Sequence, residues 1–173
     1  MNLTAIVERY AQLEKRGVLF YRGLGERFSE HLAAARVWRE LSNTEASHFA
    51  LLELAQDWIA LAGGGENPPP VTEEGLDTQS ARMADIEAAS ARPGGGIEEA
   101  VELTIRWEEI ELPRILDLVT HLPVRARGHV MAGMIAEAPE HYRMLLELVK
   151  TAGGPGQAER VTALIDGCCA ALG

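Results

Sequence analysis

Apolar positions along this chain recur in steps of three and four, the spacing of helix faces turned toward partner helices. Leu3, Ile6, Val7, Tyr10, Leu13, Gly17, Val18, Tyr21, Leu24 and Phe28 share one side of a first helix predicted from about residue 3 to 29. A second, over about 30 to 62 with Ser29 as its cap, carries Ala34, Trp38, Leu41, Leu52, Ala55, Ile59 and Ala62 in the same steps and ends at Gly63 to Gly65. The third, about 97 to 121, has two adjoining stripes: Ile97, Val101, Thr104, Ile115, Leu118 and Leu122, then Ile105, Leu112 and Val119. Pro113 should kink it by removing a hydrogen bond to the carbonyl of Glu109. Pro123 starts a fourth helix that ends near Thr151, with Val130, Met134, Met144 and Leu148 on one stripe. A second glycine-rich break, Gly153 to Gly156, precedes a short last helix from about 157 to 171, expected on the outside of the bundle.

Residues 63 to 96 differ in character. Gly63 to Gly65, Pro68 to Pro70 and Pro93 to Gly96 bracket a polar segment in which Thr72, followed by Glu73 and Glu74, reads as the start of one short helix ending near Ala91. So long a crossover between two antiparallel hairpins lets helix three lie parallel to helix two, and predicts an all-α four-helix bundle in one domain of 173 residues.

The stripes are interrupted by acid. Glu14 falls in the first; Glu45 and His48 complete the second; both stripes of the third pass through Glu108, and one also through Glu111; the missing steps of the fourth are Glu137 and His141. A buried ionised carboxylate needs a partner, a proton or a metal ion. No arginine lies on these stripes. A metal-free core would therefore have to share protons among the acids. Carboxylates and imidazoles converging from two similar hairpins match instead the ligand inventory of a two-metal site in a four-helix bundle, suited to iron, manganese or zinc.

With these residues in view, the chain resembles the rubrerythrin branch of the ferritin-like superfamily over roughly residues 3 to 151. The resemblance rests on Glu14 with Tyr21 seven positions later, Glu45-Ala-Ser-His48, Glu108-Glu-Ile-Glu111 and the acidic run from Glu137 to His141. It implies a ferritin-like fold and two iron ions held by Glu14, Glu45, His48, Glu108, Glu111, Glu137 and His141. It further implies reduction of hydrogen peroxide or dioxygen, with Glu111 exchanging with a histidine, His48, as the iron changes oxidation state. Tyr21 is read either as a group bonded to a ligand carboxylate and relaying protons or as a core tyrosine with a satisfied hydroxyl. Folds of this family associate through their helices, which implies a homodimer. Iron oxidation and storage in a closed shell is the second reading. A metal-free or degenerate-site bundle that docks other proteins is the third.

Two features depart from the family pattern. No four-cysteine rubredoxin segment is present, so an external electron-donor protein is implied. The fourth helix reads Glu137-Ala-Pro-Glu-His141 in place of Glu-x-x-His. A spacing of four keeps both side chains on one helical face, about 40° apart. The inserted residue beside Pro139 can also form a π-bulge, which would keep Glu137 and His141 as ligands across a local distortion. In the competing reading Glu140 is the inward residue.

Composition narrows the partners. Aromatic residues make up only 5% of the chain, in keeping with helices. The net charge of −10, with 16 basic against 26 acidic residues, argues against nucleic acid as a partner. The adjacent Cys168 and Cys169 form neither a disulfide framework nor a metal ribbon and read as packing residues of a cytoplasmic protein. No stretch is apolar enough to span a membrane. The methionines read as core filling rather than haem ligands, and His31, His121 and His129 as helix-end residues. Trp107 lies beside Glu108 but off its stripe, and periodicity assigns it no role.

Overall fold

Asn2 opens the first helix by accepting a hydrogen bond from the backbone N–H of Ala5 at 2.9 Å, and α1 runs Leu3–Arg27. A computed structural model describes residues 1–62, 71–136 and 138–172. Among them all regular structure is helical: α2 (Leu32–Leu61), α3 (Glu73–Ser90), α4 (Ile97–His121), α5 (Val124–Val130), a π-helical segment (Met131–Ile135), α6 (Ala138–Ala152) and α7 (Gln157–Leu172). The expected glycine and proline punctuation at 63–70 lies outside the described residues. No described helix is long and apolar enough to cross a membrane.

The turn from α1 to α2 differs from expectation. Ser29 does not cap α2; His31 does, without a side-chain bond. Phe28 packs its ring against His31 and Trp38, at 6.3 and 5.4 Å between centroids, while the N–H of His31 bonds the Phe28 carbonyl at 2.9 Å. This closed turn uses the residues that a longer α2 would have needed, and α1 lies along α2. Trp38 carries the contact on to α4, where its indole N–H donates to the buried Thr104 hydroxyl at 3.0 Å. A polar step in an apolar stripe is thereby satisfied.

The crossover helix is longer than a short connector and has a buried side of its own: Leu76, Met83 and Ile86 enter the core. Thr72 caps it, accepting from the Gly75 N–H at 3.0 Å. Arg16 of α1 holds it by bonds to Glu87 at 2.9 Å and the Ser80 hydroxyl at 2.7 Å. α4 runs through Pro113 without a break in helical assignment. The last helix packs on α4 and α6. It buries Val161, Leu164 and Cys168, and Arg160 clamps Glu109 and Glu102 of α4 at 2.7 Å each.

The fourth helix of the expected bundle is not one continuous α-helix. The N–H of Ala136 bonds the carbonyl of Met131 at 2.9 Å, five residues back. Pro139 accounts for part of this: lacking an N–H, it cannot bond the carbonyl four residues earlier, that of Ile135. Within the π turn, Gly133 leaves room for Leu51 of α2, whose Cδ1 a Cβ there would meet at 2.4 Å. The extra residue in the turn changes the phase of the helix beyond it. Tyr142, Leu145 and Leu148 face the core of α6, and Met144, expected on the stripe, is only half-buried.

Most of the stability comes from these buried faces rather than from helix propensity. Ile59, fully buried near the end of α2, tests this away from the acidic cluster. Ile59→Ala is expected to lower the unfolding free energy by about 2–5 kcal/mol, read from the urea midpoint.

Candidate metal centre

Each acid sits mid-helix, where the backbone is saturated and side-chain direction follows from helical phase, while His141 lies in the first turn of α6. α1 supplies Glu14, α2 supplies Glu45 and His48, α4 supplies Glu108 and Glu111, and α6 supplies His141; all six are buried. Their donor atoms form two groups. In one, Glu14, Glu45, His48 and Glu111 lie within 4.8 Å of one another; in the other, Glu45, Glu108 and His141 do so. Glu45 belongs to both. Gly17 of α1 makes room for it, since a Cβ at that position would stand 3.1 Å from Glu45 Cγ. Glu137 lies outside the described residues. Glu140 is exposed and pairs with Arg143 at 3.0 Å, whereas His141 is buried.

Hydrogen bonds satisfy only part of the site. Glu108 Oε1 accepts from the Tyr21 hydroxyl at 2.5 Å and pairs with His141 Nε2 at 2.8 Å. Trp107 donates its indole N–H to Glu111 Oε2 at 3.0 Å. Glu14 Oε2, Glu45 Oε2, both ring nitrogens of His48 and Nδ1 of His141 are buried without a hydrogen bond. His48 Nδ1 approaches Glu14 Oε2 at 3.4 Å and Glu45 Oε2 at 3.8 Å, without hydrogen-bond alignment. So many buried polar atoms without a hydrogen bond in one place require an explanation.

The protonation equilibria carry the same strain. Burial, then the charges of Glu111 and Glu45, holds the Glu14 carboxyl well above its usual range. Burial, then Glu45 and Glu108, does the same to Glu111. Burial alone would raise Glu45, but the nearby imidazoles, His48 first and then His141, bring it below the ordinary value. His141 would be depressed by burial, yet the charge of Glu108 and the bond to it raise the imidazole to about 9. Burial and the charge of Glu108 keep the Tyr21 hydroxyl protonated, as a donor should be.

The chain matches no protein-family model, no curated protein and no solved structure. What the site can do must be read from its chemistry. Oxygen and nitrogen donors with free lone pairs, buried and converging from four helices, suit a divalent transition metal. Four carboxylates, Glu14, Glu45, Glu108 and Glu111, would balance the charge of two such ions.

Two participants had no signal in the hydrophobic pattern. Trp107 is fully buried and bonds Glu111 one turn further on; its i to i+4 spacing from that acid was the available clue. Tyr142 is buried against the His141 ring at 5.1 Å between centroids and lines a cavity of about 30 Å³ with Met134, Ile135, Leu112 and Ile115. That is room for a molecule of about the size of water.

Proposed function

We propose that this chain is a ferritin-like four-helix bundle whose two hairpins hold a pair of iron ions, and that it reduces hydrogen peroxide or dioxygen with electrons from another protein. The observation that carries the reading is the pair of acid and imidazole groups that share Glu45 and would together hold the two ions. Glu14, His48 and Glu111 would complete one side, Glu108 and His141 the other. The π-helical turn supports the reading, since it precedes His141 at the point where the sequence departs from a Glu-x-x-His spacing.

An iron pair would supply electrons and open positions at which an O–O bond is polarised. The rest falls to the protein. Leu112, Ile115, Met134 and Ile135 form the apolar wall of a cavity of about 30 Å³ beside the candidate ligands. Trp107 holds one Glu111 oxygen, leaving the other to take up or release a proton at the cavity. Tyr21 keeps its proton, donates it in a hydrogen bond to the Glu108 oxygen and so fixes that carboxylate's orientation.

The test is metal content per chain in protein made under iron-replete, anaerobic conditions, followed by peroxide consumption. About two iron ions per chain are expected in the wild type and none in a Glu45→Ala, Glu108→Ala double variant. Peroxide consumption should follow the iron. No stoichiometric metal in the wild type would overturn the reading in favour of a metal-free bundle. A large closed shell on size measurement, with iron accumulating beyond the ligand sites, would replace it with iron storage.

A further inference from the structure

Beside α1 and the turn between α3 and α4 lies an open groove of about 650 Å³, lined by Leu19, Phe20 and Leu24 and by Arg16, Arg27 and Arg92. Glu87 is its one acid, and Arg16 already binds it at 2.9 Å. In a chain of net charge −10, three arginines against one carboxylate reverse the local sign. Phe20 stacks on Trp107 with centroids 4.7 Å apart and planes within 10°. Trp107 in turn donates its N–H to Glu111 at 3.0 Å. An unbroken run of ring contact and hydrogen bond therefore joins the groove to the candidate metal centre.

We infer that the groove docks an acidic one-electron carrier protein and that Phe20 and Trp107 form the route by which its electron reaches the metal pair. The inference rests on the two-metal reading above. Charge favours the occupant: an acidic carrier is repelled by most of this acidic chain and attracted to the arginine-lined groove. Packed aromatic rings couple donor and acceptor better than a gap filled by water. Each encounter would move one electron: the carrier would be oxidised by one and one ferric ion of the pair reduced to ferrous. Two transfers, with two protons, reduce one hydrogen peroxide to two waters.

The experiment mixes the iron-loaded full chain with a chemically reduced, acidic [2Fe–2S] ferredoxin and follows ferredoxin oxidation by stopped-flow absorbance, after iron content has been measured for each variant. Arg92→Glu, on the exposed rim, is expected to lower the second-order rate constant about tenfold at low salt, the difference shrinking as ionic strength rises past about 0.15 M. Phe20→Leu is expected to lose several-fold in rate at saturating ferredoxin while its iron content and its reduction by dithionite stay at wild-type level. Unchanged ferredoxin oxidation in both variants, with iron in place, overturns the inference alone. A loss in Arg92→Glu only overturns the aromatic route, and a loss in Phe20→Leu only overturns the docking site. Absence of iron from the wild type overturns the metal reading and this inference with it.

Discussion

Ferrous iron added without oxygen is expected to raise the melting temperature of the wild-type chain by roughly 10 °C or more, and that of a Glu45→Gln variant far less. A ligand that binds only the folded state adds about 4 kcal/mol per site at a free concentration a thousandfold above its dissociation constant. For a chain of this size each kcal/mol is worth about 2–4 °C. Glu45 is the informative position because it stands in both donor groups, so neutralising it removes a ligand from each. Glutamine keeps the shape that fits against Gly17, which separates loss of charge from loss of packing. The measurement is a thermal melt by circular dichroism with and without iron, repeated after chelation. Equal shifts in both proteins would show binding elsewhere, and no shift in the wild type would leave the buried acids as a polar core.

Stripped of metal, the chain is expected to lose stability steadily from about pH 5 to about pH 9. Glu14 and Glu111 are held above the ordinary carboxyl value of 4.5, so the native state keeps protons that the unfolded chain has released. His141, raised from 6.5 to about 9, does the same at higher pH. Wherever the native state binds more protons, unfolding becomes easier as pH rises, by up to about 1.4 kcal/mol per pH unit for each proton. The contribution of His141 is therefore complete below 6.5 and gone above about 9. Glu45 acts in the opposite sense: its lowered value gives stability that is present above 4.5 and lost on acidification. Iron must displace the retained protons, so its stabilising effect should grow across the window in which the stripped protein weakens. Urea midpoints at pH 5, 7 and 9 in chelator, then in iron, check both slopes. A flat profile in chelator would mean that these acids do not hold protons in the fold.

The inward positions of Glu14, Glu45, His48, Glu108, Glu111 and His141 were legible because a residue within a helix has no freedom to choose its side. Helical phase places it, and apolar neighbours one turn away declare that side buried. The helix starts at Asn2 and Thr72 are equally local, each a side-chain oxygen bonding an N–H three residues on. The fourth helix exceeded this logic. A π turn leaves no mark in the apolar spacing; here it lies just before Pro139, whose missing N–H favours it, and beside Leu51 of another helix, which packs on Gly133. Ser29 misled because capping propensity competes with the packing of Phe28 on Trp38, ten residues further along.

By itself, then, the order of residues determined the helices, their buried faces and the acids on them, since those depend on spacing within a turn or two of chain. Only the tertiary structure decided which acids meet. It split the donors into two groups sharing Glu45, gave Trp107 to Glu111 and Tyr21 to Glu108, and stacked Phe20 between that site and an arginine-lined groove. These contacts join residues far apart in the chain, such as Tyr21 and Glu108, 87 positions from one another. Their geometry follows from the angles and offsets at which whole helices pack, and no local pattern carries those.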